Sequence, residues 1–236
     1  MEGAPLIAAL REIVSWIPHT RTLNSLTRME DFLAYVQKIQ YGEFFRYQGM
    51  STQKRLEYVS VIHELSITLA GKSVLDLGPG YGDSLDVCHE SGAKVIDFVE
   101  IDPFFYTYNR LKGFGRAYRL NLLWQLNRLD PGKYDLIWVK GSFCADNFIK
   151  WKVFISLTRW LRQIERIASG SSTIVICPYW RINGIKRQVH DCRNNGFTKT
   201  MIMAGFTAFR YIPHHNREPE YPITFIKQMS CDTARK

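Results

Sequence analysis

The sequence predicts an α/β protein with a doubly wound, mostly parallel seven-stranded sheet, helices on both faces and an N-terminal helical cap. Short apolar runs alternate with helical patterns from about residue 71 to residue 229, and a glycine-rich turn follows the first run. The first seventy residues contain only helical patterns. We therefore expect a cap at residues 1–70, an α/β domain at residues 71–229 and a tail at residues 230–236.

Three helices are predicted in the cap. The first carries several leucines and isoleucines and ends at Pro18, because proline interrupts helical hydrogen bonding. The second runs from about Leu26 to Ile39. The third begins at Ser51, a good N-cap residue, and is expected to turn four residues toward the core: Leu56, Val59, Ile62 and Leu65. The aromatic and charged residues 41–49 are predicted to form a loop.

The stretch from Ser73 to Asp102 indicates a nucleotide-binding crevice. Its first apolar run, SVLDL, is typical of a buried strand and ends at the turn GPGYG, where glycines let the backbone turn tightly and approach a ligand. The second run, VIDFV, ends at Glu100. This residue stands about 20 positions after the glycines, the spacing at which a carboxylate meets a ribose in βαβ units. Glu100 is therefore a candidate nucleoside anchor.

The alternation continues to the end of the domain. A long amphipathic helix has Trp160, Leu161 and Ile164 on its apolar face and is expected to close at Gly170 and Ser171. Another helix is predicted from about Ile185. The remaining elements are a helix at Phe104 to Leu111 and strands at Ala117 to Leu120, Tyr134 to Val139, Thr173 to Cys177, Phe206 to Ile212 and Ile223 to Met229.

Two motifs in register resemble those of the class I, Rossmann-like, S-adenosylmethionine-dependent methyltransferases. The residues VLDLGPGYGDS match the family pattern D-L-G-x-G-x-G, and VEIDP, starting at Val99, matches the acidic pattern that ends the second strand. The last two predicted strands are similar to the antiparallel hairpin that closes the sheet in this family. The similarity in element order covers residues 71–229, whereas the motifs cover only the first third of that range.

The resemblance implies S-adenosylmethionine as the cofactor. The methionine part would lie over the glycine turn and its preceding strand, at Asp76, Gly78, Pro79 and Gly80. The ribose would be held by Glu100, next to Ile101, and the adenine by Asn121 and Leu122. Aspartate is commoner than asparagine at that adenine position, but the asparagine keeps a hydrogen-bond acceptor. Tyr47, in the predicted loop, is a further candidate contact, or else packs on the core.

Methyl transfer requires an aligned acceptor more than a universal catalytic residue. Two candidates for acid/base catalysis are Lys140, at the end of the fourth strand, and His215, which follows His214 in the loop between the last two strands. The resemblance would place Lys140 beside the sulfonium, where burial and positive charge lower an amine pKa. Lys140 could instead bind an acidic substrate, and the histidines could simply be exposed. The five scattered cysteines suggest neither a disulfide framework nor a metal site.

The charge of the chain indicates which molecules could accept the methyl group. The chain has a net charge of +9, and residues 136–215 alone contain twelve Lys or Arg against three acidic residues. Such an excess suits a phosphorylated substrate or RNA, but a charged helix face is often only solvated, and no RNA-binding module is recognisable. We therefore favour methylation of an O or N atom of a small or medium, acidic or phosphorylated metabolite or glycan precursor. The alternatives are an RNA methyltransferase and a non-catalytic, cofactor-binding subunit.

The sequence bears less on location and assembly. No apolar run is long enough to span a membrane, and residues 1–3 lack the basic start of a signal peptide. With unpaired cysteines, these features predict a cytoplasmic protein. Nothing in the sequence indicates the oligomeric state. A dehydrogenase and an aminopropyltransferase are alternative interpretations of the glycine turn. An aminopropyltransferase would be expected to have acidic residues where this chain has Lys140.

Overall fold

A computed structural model describes residues 4–144, 156–179, 196–210 and 223–230 of the chain. Its centre is a seven-stranded sheet in the order β3-β2-β1-β4-β5-β7-β6. The strands are β1 (Ser73–Leu77), β2 (Val95–Val99), β3 (Ala117–Tyr118), β4 (Tyr134–Cys144), β5 (Ala168–Tyr179), β6 (Thr207–Arg210) and β7 (Ile223–Gln228). Within the described residues, no helix is both long enough and apolar enough to cross a membrane.

The sheet is mixed, which corrects the prediction of a mostly parallel sheet. β1 pairs in parallel with β2 and β4, and the pairs β2 with β3 and β4 with β5 are also parallel. β7 instead runs antiparallel to both β5 and β6. β6 and β7 are the last two strands in the described part of the chain, and they pair antiparallel from Thr207 opposite Ile226 to Arg210 opposite Ile223. The predicted antiparallel pairing of the last two strands is thus confirmed.

The helices are α1 (Ala4–Ser25), α2 (Met29–Ile39), α3 (Gly42–Glu64), α4 (Asp83–Glu90), α5 (Pro103–Lys112), α6 (Leu157–Ile167) and α7 (Gly196–Met203) in the described part of the chain. The prediction that Pro18 ends the first helix was wrong, because Pro18 lies inside α1. Proline removes one helical hydrogen bond. The helix continues past it to Leu23, which is fully buried and therefore gains packing energy on the far side.

The predicted loop at residues 41–49 is helical and forms the beginning of α3. Tyr41 is the N-cap residue, and the buried Phe44 packs among other aromatic rings, so tertiary packing favours the helix. Ser51 is consequently an interior residue of α3 and not its N-cap. The inward face was predicted correctly only in part. Ile62 and Leu65 pack against the core as expected. Leu56 and Val59 are instead 60% and 50% exposed, whereas Tyr58 and Val61 are buried.

Alternate residues of the central strands belong to two apolar clusters. Val74 and Trp138 pack with Tyr58 and Val61 of α3 and with residues of α4. Leu75 and Ile137 pack instead with the apolar stripe of α6, which contains Trp160, Leu161, Ile164 and Ile167. The predicted stop at Gly170 and Ser171 was wrong, because both lie in β5, which begins directly after α6. The first residue of β5, Ala168, pairs with Tyr134 of the neighbouring strand β4.

A third cluster joins the N-terminal helices to the α/β part of the chain. Trp16, Leu23, Phe32, Val36 and Phe44 of α1, α2 and α3 share it with Tyr81, Phe104 and Phe105. The last two belong to α5, so this helix is covered by aromatic and aliphatic side chains of α1, α2 and α3, which lie tens of residues earlier in the chain. The described N-terminal helices therefore pack directly beside the segment that follows β2.

Candidate active site

The glycine turn after β1 has a backbone that favours glycine at three positions. Gly78, Gly80 and Gly82 have φ angles of +83°, +56° and +84°. Side chains with a Cβ rarely adopt this left-handed region. The Gly78 N–H donates to the Val99 carbonyl oxygen at 2.8 Å, and the Gly82 N–H donates to the Pro79 oxygen at 3.0 Å. The turn is therefore tight and is attached to the end of β2.

Glu100 lies directly after β2 and is buried against the same turn. Its Oε2 accepts a hydrogen bond from the Gly80 N–H at 3.1 Å, and its Oε1 accepts from the N–H groups of Ile101 and Asp102 at 2.8 and 3.0 Å. Burial and the neighbouring Asp102 carboxylate raise the pKa of Glu100 to about 7, against the opposing effect of the three N–H donors. A buried carboxyl of this kind is suited to accept hydrogen bonds from ligand hydroxyls.

Asp102 begins α5 and connects it to α3. Its Oδ1 caps the helix by accepting from the Phe104 N–H at 2.7 Å, with the Phe105 N–H at 3.3 Å. Its Oδ2 accepts a hydrogen bond from the Tyr41 hydroxyl at 2.7 Å. The Tyr41 ring stacks on Phe104 with 4.0 Å between centroids. The segment after β2 is thus fixed by the first turn of α3.

The segment after β3 forms a hydrogen-bonded turn at the same edge of the sheet. The Asn121 Oδ1 accepts from the Leu123 N–H at 2.9 Å, and the Asn121 N–H donates to the Gln125 Oε1 at 2.7 Å. The Leu122 carbonyl accepts from the Trp160 indole N–H at 2.9 Å. Because β3, β2, β1 and β4 are parallel neighbours, their carboxyl ends share one edge. In open α/β sheets that edge binds ligands.

Several solved structures have a similar architecture. An S-adenosylmethionine-dependent methyltransferase from Aquifex aeolicus is 15% identical, with a TM-score of 0.51 over 78% of this chain and 96% of that chain. A Methanococcus maripaludis protein assigned as an S-adenosyl-L-methionine-dependent methyltransferase is 9% identical, with a TM-score of 0.50 over 87% of this chain and 95% of that chain. A Galdieria sulphuraria protein assigned as a sarcosine dimethylglycine methyltransferase is 14% identical, with a TM-score of 0.51 over 76% of this chain and 86% of that chain. The chain has the methyltransferase fold. No protein-family model and no curated protein matches its sequence.

Within this methyltransferase fold, Asp76 and Tyr47 both lie beside the glycine turn. Asp76 is buried and accepts a hydrogen bond from the Ser84 hydroxyl in the first turn of α4. The Tyr47 ring lies 3.9 Å from the position that a Cβ on Gly80 would occupy, and it packs edge-on against Phe105 at 5.3 Å between centroids. Burial raises the pKa of Tyr47. Tyr47 therefore reaches the turn from a helix and not from the predicted loop.

The two catalytic candidates are described to different extents. Lys140 is in β4, opposite Cys177 of β5, toward the carboxyl end of the sheet in the methyltransferase fold. The prediction that the fourth strand ends at Val139 was wrong, because β4 continues to Cys144 and Lys140 lies within it. His214 and His215 lie outside the described residues. The predicted cofactor residues at or after the ends of β1, β2 and β3 thus lie at one edge of the sheet, and Lys140 lies within the neighbouring strand β4.

Sequence reasoning missed two residues of α5 that contact the glycine turn. The Asn109 Nδ2 donates to the Gly80 carbonyl at 2.7 Å. The Lys112 Nζ lies 3.3 Å from the carbonyl oxygens of both Tyr81 and Gly82. Their i, i+3 spacing indicates that both side chains leave one face of the helix. The Asp102-Pro103 pair could have predicted where that helix begins, and so which residues share a face. It could not have predicted that this face contacts the glycine turn, because that contact depends on the fold.

Proposed function

We propose that this chain is an S-adenosylmethionine-dependent methyltransferase that binds its cofactor at the carboxyl ends of β1, β2 and β3. The observation that carries the proposal is the hydrogen bond between the Gly80 N–H and the Glu100 Oε2. It joins a glycine turn to a buried carboxylate, so both motifs of the sequence belong to one continuous surface. The methyltransferase fold supports the same assignment.

In this proposal each group at the edge has a separate role. Glu100 accepts hydrogen bonds from the ribose hydroxyls, beside Ile101, and the methionine part lies against the turn, at Asp76, Gly78, Pro79 and Gly80. Asn121 and Leu122 hold the adenine, and Tyr47 closes the side next to Gly80. The residues fit such a ligand, because Gly80 leaves its Cβ position open except for the Tyr47 ring and Glu100 is buried but still an acceptor.

The cofactor supplies a methyl group activated by its positively charged sulfur. The protein then has to hold an acceptor in line with that methyl group and to take up a proton where the acceptor carries one. We propose Lys140 and His215 for the proton-transfer role. Residues 1–70 are proposed to form a helical cap, residues 71–229 the cofactor-binding domain, and residues 230–236 a tail.

The proposed acceptor is a small or medium, acidic or phosphorylated metabolite or glycan precursor, methylated on O or N. The positive charge of residues 136–215 supports a negatively charged acceptor. Within the described part of that region, Arg159 and Arg162 are on α6, whereas the acidic Glu165 of the same helix is paired at 2.7 Å with Lys227 of β7. An RNA acceptor is the alternative that uses the same charge.

Isothermal titration tests the cofactor. S-adenosylmethionine and S-adenosylhomocysteine should both bind, and NAD should not. Binding of NAD without either adenosyl ligand would instead assign the chain to the dehydrogenases. Cofactor binding without turnover on a broad panel, together with stable co-purification of another protein, would favour the non-catalytic subunit.

Incubation with methyl-labelled cofactor tests the acceptor. Label should appear in a small-metabolite fraction and not in the RNA fraction of the source cell. Each phosphate neutralised in an RNA complex contributes a slope of about −0.7 to −0.9 to the dependence of log affinity on log salt, so a metabolite should show a shallower dependence. Label in RNA that is lost in an Arg181→Ala, Lys186→Ala, Arg187→Ala triple variant would favour the RNA enzyme.

A further inference from the structure

We infer that Lys112 is a positioning residue that holds the glycine turn in its ligand-binding conformation; the inference rests on the proposed function. Lys112 is in the last turn of α5, ten residues after the N-cap Asp102. Its side chain is only 9% exposed. Burying an ammonium group is costly unless the group is paired and hydrogen-bonded, so its partners show what this burial accomplishes.

Lys112 contacts the glycine turn and the first helix after it. Its Nζ lies 3.3 Å from the carbonyl oxygens of Tyr81 and Gly82, the last two residues of the turn. Both Asp86 carboxylate oxygens, in α4, lie 3.0 Å from the same nitrogen. An ion pair joining α5 to α4 would require only the Asp86 contacts. The two backbone carbonyls indicate that the ammonium group also fixes peptide orientation.

Asn109 extends the same contact by one residue. Its Nδ2 donates to the Gly80 carbonyl at 2.7 Å, so α5 holds the carbonyl oxygens of three consecutive residues, Gly80, Tyr81 and Gly82. The carbonyl and the N–H of one peptide unit point in opposite directions. Fixing the Gly80 and Gly82 oxygens to α5 therefore turns the N–H groups of the same peptide units, those of Tyr81 and Asp83, away from α5. The Gly82 N–H, in the unit between them, donates to the Pro79 oxygen. Backbone N–H groups presented in this way bind anionic or polar ligand groups.

Lys112 lies among groups that act on its charged form in opposite directions. Asp86 is also bound by Arg55 of α3 at 3.5 Å, and the Lys112 nitrogen lies 4.7 Å from the centre of the Tyr108 ring and 5.8 Å from that of Tyr81. Burial nevertheless lowers the pKa of Lys112 against the opposing effect of Asp86. The ammonium is thus held between a carboxylate, aromatic faces and the turn it orients.

The matched control is Lys133, which makes a comparable ion pair away from the turn. The Lys133 Nζ lies 2.6 Å from the buried Asp97 Oδ2, at the amino end of β4. Lys112→Met and Lys133→Met both remove a lysine from such a pair, so both should lower the melting temperature. Only Lys112→Met should also change the turn. Lys112→Arg, which keeps a cation and several donors, should recover part of the loss.

Two measurements separate positioning from stability. In ligand-free protein, hydrogen exchange of residues 78–83 should be faster in Lys112→Met than in Lys133→Met and in the parent. Titration with S-adenosylhomocysteine should show about tenfold weaker binding for Lys112→Met and unchanged binding for Lys133→Met. Parent-like exchange in the turn together with parent-like affinity in Lys112→Met would overturn the inference. If the parent bound no adenosyl ligand, the proposed function would fail, whereas exchange in ligand-free protein would still decide whether Lys112 holds the turn.

Discussion

The buried carboxylate of Glu100 and the amide of Gly80 are joined by a 3.1 Å hydrogen bond across the gap between β2 and the glycine turn. The same carboxylate is held by the N–H groups of Ile101 and Asp102. Its orientation is therefore set by the backbone before any ligand arrives. A ligand hydroxyl that bonds to it meets an acceptor that needs little further ordering, which favours affinity.

Replacement of Glu100 by alanine should weaken binding of S-adenosylmethionine by ~1 to 3 kcal/mol, the loss typical of hydrogen bonds to a charged group. Isothermal titration gives this value directly. Glu64→Ala is the control, because Glu64 is an exposed residue at the end of α3. An unchanged affinity in the Glu100 variant would remove this residue from the ribose role.

Cofactor affinity should rise between pH 6 and pH 8 and then level off. The pKa of Glu100 is raised to about 7, and ribose hydroxyls bind better to the carboxylate than to the protonated acid. Titrations in buffers of different ionisation enthalpy should also show proton release on binding near pH 7. In Glu100→Gln the part of the pH dependence that comes from this group should disappear; a profile identical to that of the parent would assign the effect to another group.

The same pKa shift makes an opposite prediction for stability of the ligand-free protein. Between the ordinary value of 4.5 and the raised value of about 7, the native state binds more protons at Glu100 than the unfolded state. The stabilising contribution of this group is therefore present below pH 4.5 and is lost as pH rises through 7. Urea unfolding at several pH values measures this effect. Between pH 4.5 and pH 7 the free energy of unfolding should decline less in Glu100→Gln than in the parent.

Gly82→Ala should be much more destabilising than Gly113→Ala. Both glycines have positive φ, +84° and +76°, so each variant should lose about 1 to 2 kcal/mol from backbone strain. A Cβ on Gly82 would also lie 1.9 Å from the Asn109 Oδ1, whereas a Cβ on Gly113 has no neighbour within 4 Å. Denaturant unfolding measures both. Equal losses would mean that Asn109 can move aside without consequence.

Tyr41→Phe should lower the free energy of unfolding by about 1.5 to 3 kcal/mol, because the lost hydroxyl donates to the Asp102 carboxylate at 2.7 Å. The control is Tyr35→Phe, which removes a 2.8 Å hydrogen bond between its hydroxyl and the His19 ring nitrogen. That hydrogen bond involves no carboxylate, so its loss should be the typical value of about 0.5 to 1.5 kcal/mol. The reverse order of the two losses would show that Tyr41 does not anchor the segment after β2.

Local signals were enough to predict β1, β2 and the glycine turn. Strands buried on both faces leave continuous apolar runs, and the turn needs glycines, so each feature is visible within a few residues. The start of α3 was not predictable in this way. Phe44 and Tyr41 are held by Tyr81, Phe104 and Asp102, which lie tens of residues away, and these partners override the loop-like local composition.

Lys112 and Asn109 illustrate the same limit within the site. Each is an ordinary helix residue in sequence, and its contact with the glycine turn appears only when the fold places α5 against that turn. The mixed sheet has a similar origin, because β7 inserts between β5 and β6 through pairings that no local pattern specifies.

The cluster that joins Trp16, Phe32 and Phe44 to Phe104 and Phe105 has a consequence for synthesis of the protein. A ribosome makes the N-terminal helices well before their aromatic partners, at about 5 to 20 residues per second. Until α5 leaves the ribosome, the apolar faces of α1, α2 and α3 have only one another to cover them. This order leaves apolar surface uncovered on the nascent N-terminal segment, and the contacts between these helices and the segment after β2 form only once α5 has been made.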